Sequence, residues 1–190
     1  MNDYFTGCWF SDSAIMYSIL DGLELKTGND RSGTKFFLSK KKAESAKVGL
    51  TWRKLIGTKE REIDEKTGLY KTKLLAENPW LMNMFNEYRD LHFKDFLFDQ
   101  VTINYSPSGT IIKQHLDKVN VGDSVLVAYG DYSGGSTYIQ NSNNRNFTMH
   151  DCRLEPTIFN GSERKHGVTS VQGGNRYSLV FYKNKYKNKK

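Results

Sequence analysis

Short apolar runs separated by polar, glycine-rich turns fill the C-terminal half of the chain. Six of these runs are rich in β-branched and aromatic residues, and they cover residues 99–106, 109–117, 123–131, 134–140, 155–161 and 176–184. Short strands at such intervals are typical of an antiparallel sandwich or barrel. We therefore predict a sheet-rich region at about residues 98–183.

The N-terminal half predicts helices. One is expected near Asp12–Leu20, and the clearest pattern is "NPWLMNMFNEYRDLHFKDF", residues 78–96. Asn78 can cap this helix, and Pro79 fits its first turn, where a missing N–H costs nothing. Three- and four-residue spacing predicts that one face packs on the rest of the protein, namely Trp80, Met84, Tyr88 and Leu91. We expect these helices to cover the outer face of the sheet.

Two polar stretches of the N-terminal half are predicted to be exposed. The run "SKKKAESAK", residues 39–47, is interpreted as a solvated surface segment. Residues 58–73, with a turn at Lys66–Gly68, are interpreted as an exposed hairpin.

Composition is that of a soluble globular domain. Of 190 residues, 37% are hydrophobic and 13% aromatic, and no segment approaches the roughly 20 apolar residues of a membrane span. The start, "MNDYFTGCWF", lacks the basic and apolar regions of a signal peptide, so we expect a cytoplasmic protein. Cys8 and Cys152 do not form a disulfide framework and are predicted to be free and inert.

The net charge of +7 is concentrated at the C-terminus. The last eight residues, "KNKYKNKK", contain five lysines, and without them the chain carries only +2. This tail is either a solubilising end or an arm that contacts phosphates without sequence specificity. The charge therefore agrees with a nucleic-acid partner but does not establish one.

The segment "IKQHLDKVN", residues 112–120, predicts part of a metal site. Residues i and i+2 of a strand point to the same side, so His115 and Asp117 offer an imidazole and a carboxylate together. His166 follows 51 residues later, just after a strand-like run. Two histidines and one carboxylate on one face of a metal, with open positions opposite, form the facial triad of non-haem Fe(II) oxygenases.

A second group of residues predicts a carboxylate clamp. Arg176 lies ten residues after His166, and its guanidinium can bind a carboxylate through two parallel hydrogen bonds. Ser178 faces the same way and can add a third. A 2-oxo dicarboxylic acid suits this arrangement, because one end can chelate iron while the far end meets Arg176.

These motifs resemble the Fe(II)- and 2-oxoglutarate-dependent dioxygenases, and among them the TET/JBP nucleic-acid base oxygenases that also occur in bacteriophages. The resemblance covers roughly residues 100–183 and rests on five features: His115 with Asp117, Asn120, the "GDYSGG" turn at Gly130–Gly135, His166, and Arg176 with Ser178. Ser136 follows the paired glycines where many members have an acidic residue, and no basic insertion that would clamp duplex DNA is evident.

The resemblance implies an α+β fold with a double-stranded β-helix (jelly-roll) core and N-terminal helices packed on the outside of the sheet. It implies a single catalytic domain at 1–183, with support and possible substrate recognition in 1–97, the core in 98–183, and a tail at 184–190. The implied co-substrates are 2-oxoglutarate and O₂, with Fe(II) held by His115, Asp117 and His166. A phage-encoded member would act in the host cytoplasm.

The implied reaction is hydroxylation of the 5-methyl group of 5-methylcytosine or thymine in DNA. Such a base must be extruded from a duplex to reach an enclosed site. The resemblance implies that Asn120 hydrogen-bonds the base. Asn104 and Tyr105 precede the triad on a strand, where both are candidates for contact with the co-substrate, and packing is the favoured role of Tyr105.

Two other functions remain open at this point. The same chemistry can act on a protein side chain, such as prolyl or lysyl, on a free nucleotide or on a small molecule. Alternatively, the chain is a β-sandwich binding module with a vestigial triad, whose lysine tail docks on nucleic acid. His92 and His150 have no partner at useful spacing and are interpreted as surface residues.

Overall fold

Two antiparallel sheets face each other in the computed structural model, which describes residues 13–23, 25, 37–38, 43–51, 63–67, 69–153 and 155–185. Within these residues the larger sheet contains, from edge to edge, β10 (Thr157–Phe159), β6 (Asn120–Tyr129), β13 (Arg176–Asn184), β4 (Gln100–Ser106), β2 (Glu44–Thr51) and β3 (Tyr70–Lys71). The smaller sheet contains β1 (Phe37–Leu38), β5 (Ile111–His115), β11 (His166–Val168), β8 (Thr137–Gln140) and β9 (Phe147–His150). A further pair joins β7 (Ser133–Gly134) to β12 (Val171–Gln172).

All six β segments predicted from the sequence contain strands, namely β4, β5, β6, β8, β10 and β13. The prediction of an α+β fold with a sheet-rich C-terminal half is confirmed. The described residues of the N-terminal half add strands that were not predicted, above all β2, which pairs with β4 along the register Glu44↔Tyr105 to Gly49↔Gln100. The run 39–47, interpreted as solvated surface, therefore belongs to the sheet from Glu44 onwards.

Three helices lie on the outer face of the larger sheet: α1 (Ser13–Asp21), α2 (Lys73–Glu77) and α3 (Trp80–His92). Their apolar side chains form one core with alternate residues of the strands, including Val101, Ile103, Leu179 and Phe181. Burial of this apolar surface is the main stabilising contribution that the helices make. The prediction that N-terminal helices pack on the outside of the sheet is confirmed.

The predicted packing face of α3 is only half right. Met84 and Tyr88 are buried, but Trp80 is 46% exposed and Leu91 56% exposed, whereas Leu81 and Phe85 are fully buried. The predicted face, with Trp80 and Leu91, and the observed face, with Leu81 and Phe85, share Met84 and Tyr88. The three- and four-residue spacing fits both faces, so it does not choose between them. Phe181 on β13 decides the rotation, because Tyr88 stacks on its ring at 5.9 Å and Phe85 meets it edge-on at 5.7 Å.

Asn78 has a different role from the predicted one. Its side-chain amide donates to the carbonyl of Leu74 at the end of α2, at 3.3 Å, and makes no capping bond to α3. Pro79 takes the position before the first residue of α3, with helical backbone angles. Asn78 therefore ends one helix rather than starting the next.

The predicted hairpin within residues 58–73 is present where it is described. Ile63 bridges Tyr70, and the Asp64 carboxylate accepts a hydrogen bond from the Thr67 N–H at 2.9 Å to close the turn. Ile63 is exposed, as expected for this segment. Cys8, Gly68 and the tail beyond residue 185 lie outside the described residues. Across the described part of the chain, the helices are too short or too polar to cross a bilayer.

Candidate active site

Two histidines are brought side by side by pairing in the smaller sheet. His115 ends β5, His166 begins β11, and these two residues are direct partners in the antiparallel register. Asp117 lies two residues beyond the end of β5. The turn after the strand therefore sets the direction of its side chain, whereas the prediction relied on the alternation of side chains along a strand. Its backbone N–H donates to the carbonyl of Gly161 at 2.8 Å, which holds the turn against the segment that precedes β11.

The three side chains converge on one point. Asp117 Oδ1 lies 3.7 Å from His115 Nε2, and Asp117 Oδ2 lies 3.4 Å from His166 Nε2. One ligand atom from each residue lies within 4.8 Å of the others, and the two imidazole centroids are 4.3 Å apart. This spacing allows all three to coordinate a single metal ion.

Backbone carbonyls orient both imidazoles. His115 Nδ1 lies 2.8 Å from the carbonyl oxygen of Lys113, and His166 Nδ1 lies 3.0 Å from that of Arg164. A carbonyl only accepts, so each Nδ1 donates, and the neutral form of each ring then keeps the lone pair of Nε2 for a metal ion. Because metal-ligating histidines are commonly fixed through their other ring nitrogen in this way, both rings are preorganised as ligands.

The electrostatics favour the ligating forms of these groups. Burial raises the pKa of Asp117, but in the metal-free site the hydrogen bond and charge of a protonated His166 and further positive charge nearby outweigh it, so the pKa lies below its usual value; a metal ion would take the place of that proton. Burial, followed by the charge of His166, lowers the pKa of His115. A carboxylate and a neutral imidazole are the forms that bind a metal.

Asn120 supports the Asp117 carboxylate directly. It is 7% exposed, and its side-chain amide donates to Asp117 Oδ2 at 3.4 Å and to Ser124 Oγ at 3.2 Å. These contacts orient the Asp117 carboxylate. That Asn120 also contacts a substrate base stays a prediction.

Arg176 is a buried cation with orphaned donors. It lies on the face of β13 that points at the smaller sheet, it is 0% exposed, and its Nη2 donates to Thr137 Oγ1 at 3.4 Å. Its Nε and Nη1 have no hydrogen-bond partner among the described residues, and neither do the buried hydroxyls of Ser106 and Thr110. Because buried polar groups are normally paired, this cluster has the chemistry of a binding site for an anion such as a carboxylate.

Tyr132 covers this cluster and was not predicted. Its ring is 3% exposed and lies between two guanidinium groups, that of Arg153 at 5.2 Å and that of Arg176 at 5.8 Å. A Cβ on Gly135 would lie 3.0 Å from the Tyr132 ring and 3.1 Å from the side chain of Arg176, which explains the glycine there. Tyr132 lies within the "GDYSGG" motif, so the resemblance marked its position, although no role was predicted for it. No sequence pattern marked Ser106, Thr110 or Thr137.

Asn104 and Tyr105, both predicted co-substrate contacts, point to opposite faces of β4. Asn104 pairs with Ser178, and its amide donates to Ser178 Oγ at 3.3 Å on the face that carries Arg176. Tyr105 packs with the helix-side core, where its ring lies 5.1 Å from that of Tyr177. Tyr105 therefore has the packing role that was favoured for it, and its candidate contact with the co-substrate is not observed, because neighbouring residues of a strand alternate between faces.

The residues present fit Fe(II) and 2-oxoglutarate. Two neutral imidazoles and one carboxylate leave open coordination positions for a bidentate ligand. On the inner faces of the same two sheets, Arg176 offers orphaned donors to a distant carboxylate. His92, on α3, is exposed on the helix side of the larger sheet, and its ring lies 4.3 Å from that of Tyr88 at a tilted angle.

Comparison with solved structures identifies the class of fold. The chain has 16% identity and a TM-score of 0.53 to an oxidoreductase of the 2OG-Fe(II) oxygenase family from Burkholderia pseudomallei, covering 91% of this chain and 78% of that one. It has 12% identity and a TM-score of 0.54 to a Trichoplax adhaerens prolyl hydroxylase in complex with a hypoxia inducible factor peptide fragment, covering 95% and 80%. The protein therefore has the double-stranded β-helix fold of the 2-oxoglutarate oxygenases.

A third similar structure is NgTET1 in complex with 5mC DNA. The identity is 16% and the TM-score 0.50, with 77% of this chain covered and 62% of that chain. The chain thus spans less than two thirds of NgTET1. Neither a protein-family profile nor a curated protein sequence matches the chain.

Proposed function

We propose that this protein is an Fe(II)- and 2-oxoglutarate-dependent dioxygenase. The observation that carries the proposal is the convergence of His115, Asp117 and His166, with both Nε2 atoms facing the carboxylate. Fe(II) with 2-oxoglutarate and O₂ supplies the oxidising chemistry that hydroxylates a C–H bond. The buried, orphaned donors of Arg176 support the choice of a dicarboxylic co-substrate.

The chain's own residues have distinct roles in this proposal. His115, Asp117 and His166 hold the metal, and Asn120 keeps the carboxylate oriented. Arg176 binds the far carboxylate of 2-oxoglutarate, with Ser178 beside it on β13. Tyr132 covers the clamp and excludes water, which strengthens the charge interaction at Arg176 because the local dielectric is low.

We further propose that the substrate is a DNA pyrimidine with a 5-methyl group. Three observations support this choice: the TET/JBP-like spacing of Asn120 from Asp117, the fold shared with NgTET1 bound to 5mC DNA, and the basic composition of the chain. The proposed metal site lies between two sheets, so a single-stranded base or a base extruded from a duplex is the expected form of the substrate.

The test is turnover with DNA in the presence of Fe(II), 2-oxoglutarate and O₂. We expect succinate formation that rises with 5-methylcytosine- or thymine-containing oligonucleotides, together with a 5-hydroxymethyl base in nucleoside mass spectrometry. His166→Ala should abolish both products, and His92→Ala serves as the matched histidine control on the helix side. Absence of any oxidised base from both DNAs would exclude this substrate class.

A protein substrate is the second candidate. The similarity to a prolyl hydroxylase in complex with a peptide fragment favours it, with coverage of 95% of this chain. Succinate formation that rises with prolyl- or lysyl-containing peptides but not with DNA would support this alternative. A wild-type protein that forms no succinate with any of these substrates would favour a binding module with a vestigial triad.

A further inference from the structure

A groove of about 500 Å³ opens beside the turn that carries Asp117. It is lined by the residues around the start of β6, by the segment 160–163 before β11, and by the residue that follows β13. The polar and charged residues of this lining are Lys118, Asn120, Asn160, Ser162, Glu163 and Lys185. Below, this feature is called the Asn120 groove.

The Asn120 groove adjoins the proposed metal ligands. A Cβ on Gly161 would lie 3.2 Å from Asp117 Oδ2 and 3.4 Å from His166 Cε1, so the segment 160–163 passes directly along two of the three ligands. Asn120, another residue of the lining, donates to Asp117 Oδ2 at 3.4 Å. A molecule bound in the groove would therefore lie next to the metal centre.

The Asn120 groove and the Arg176 cluster lie at opposite ends of β13. Arg176 is the first residue of this strand, whereas Asn184, its last residue, pairs with Asn120. The backbone N–H of Lys185 then donates to the carbonyl of Val119 at 2.7 Å. Because a co-substrate that chelates the metal and reaches Arg176 would extend towards the start of β13, the groove at the other end is left for the substrate.

The wall formed by the segment 160–163 is held by local hydrogen bonds. Asn160 Oδ1 accepts from Ser162 Oγ at 2.7 Å and from the Ser162 N–H at 3.1 Å. After this turn, Arg164 Nε donates to the carbonyl of Gln140 on β8 at 2.6 Å. The groove is therefore preformed rather than dependent on a ligand.

The charges in the Asn120 groove suit an anionic partner. Lys118 and Lys185 are exposed, and neither forms an ion pair or a side-chain hydrogen bond within the described part of the chain. Glu163 supplies one opposing negative charge. Three more lysines follow Lys185 in the last five residues of the sequence. Since lysine binds phosphate as a point charge, a polyanionic backbone is the partner that these residues favour.

We propose that the Asn120 groove is the substrate-binding groove, in which Lys118 and Lys185 bind backbone phosphates next to the target base. This inference rests on the proposed function and deepens it, because it names the surface and the charges that hold the DNA strand. Contacts of this kind fix the position of the strand without reading its sequence.

The experiment measures oligonucleotide binding by the loaded protein. Fluorescence anisotropy is recorded without O₂, with Mn²⁺, 2-oxoglutarate and a short single strand containing one 5-methylcytosine. We expect Lys118→Gln and Lys185→Gln each to weaken binding about twofold to fivefold, the effect of an exposed ion pair. In the double variant, the slope of log affinity against log salt should fall by about 1.4, at 0.7 for each phosphate contact on a single strand.

Glu163→Gln should have the opposite effect. It removes the negative charge of the groove, so the affinity for the strand should rise about twofold to fivefold. If the lysine variants instead bind more tightly and Glu163→Gln more weakly, the groove prefers a cationic partner and the inference is wrong.

Lys94→Gln is the matched control. Lys94 is an exposed lysine just after α3, and its neighbours Phe93 and Phe96 pack into the helix-side core. The variant makes the same charge change away from the groove and should leave binding unchanged. If the double lysine variant binds as tightly as Lys94→Gln, the inference is overturned. A loss of Mn²⁺ affinity in Lys118→Gln that equals its loss of DNA affinity would assign Lys118 to the support of Asp117 instead.

A strand with neutral methylphosphonate linkages identifies the group that the lysines bind. The difference in affinity between the wild type and the double variant should disappear with this strand, and a difference that persists would overturn the phosphate contacts. If the wild type oxidises DNA while the groove variants match Lys94→Gln, only the assignment of the groove fails. If the wild type neither binds nor oxidises DNA, the proposed function fails with it.

Discussion

Substitution of Arg176 is the sharpest test of the proposed co-substrate pocket. Its loss should preserve or raise the stability of the protein without ligand, but it should weaken the binding of 2-oxoglutarate. Arg176 Nε and Nη1 are buried and have no hydrogen-bond partner among the residues that the structure describes. An unsatisfied buried donor costs about 1–3 kcal/mol, and more when it is charged. Arg176→Met removes these donors and keeps an unbranched, flexible apolar side chain in the same position. We therefore expect the ligand-free variant to unfold at the same temperature as the wild type or higher.

The effect on 2-oxoglutarate binding should have the opposite sign. Truncating one member of a buried, hydrogen-bonded charge pair costs about 2–5 kcal/mol, in part because the other charge stays buried. At about 1.4 kcal/mol per tenfold, the dissociation constant of 2-oxoglutarate should rise by roughly 30-fold to several thousand-fold. Arg176→Lys keeps the charge but loses the planar fork, so it should recover only part of the affinity.

Thermal unfolding with Mn²⁺, with and without 2-oxoglutarate, measures both effects in one assay. A ligand at 100 times its dissociation constant stabilises the folded state by about 2.7 kcal/mol. For a domain of this size that corresponds to a rise in Tm of about 5–10 °C. The wild type should show this rise and Arg176→Met almost none at the same concentration.

Two results would refute the reasoning about Arg176. If Arg176→Met retains the wild-type rise in Tm with 2-oxoglutarate, the guanidinium does not bind the co-substrate. If the ligand-free variant unfolds more than about 10 °C lower, Arg176 supports the packing beneath Tyr132 rather than a ligand.

Three further predictions follow from the site and the helix packing. Asn120→Ala should lower the affinity for Mn²⁺ about 10- to 100-fold, because it removes the donor that orients Asp117. Calorimetry measures this affinity, and an unchanged value would contradict the prediction. Chelation of the metal should abolish the Tm rise with 2-oxoglutarate, and added Mn²⁺ should restore it. Phe85→Ala should lower the free energy of unfolding by about 3–5 kcal/mol, measured with denaturant, because it empties a fully buried position. Trp80→Ala should lower it by less than about 1 kcal/mol. Equal losses would contradict the observed packing face of α3.

The parts of the fold that the sequence predicted are those specified by local pattern. The β-rich runs and the turns between them depend on residues close in the chain, and all six runs form strands. The convergence of His115 and His166 could be expected from residue type and from the resemblance, but their direct pairing across β5 and β11 is a matter of register. Register depends on long-range pairing, which no single segment specifies. For the same reason the sequence could not choose between Asn104 and Tyr105, which point to opposite faces of one strand.

Strand β2 shows why a strand that lines a polar site is difficult to predict. A half-buried strand normally alternates apolar and polar residues because one face meets the core and the other meets water. Strand β2 keeps this alternation, with Ala46 and Val48 on the helix side and Ser45 and Lys47 on the other face. Three lysines, Lys40–Lys42, come just before it, and Ala46 is too small to mark a buried face, so the run was interpreted as a solvated segment. What assigns β2 to the sheet is its pairing with β4, which lies more than fifty residues later in the chain and leaves no local signal.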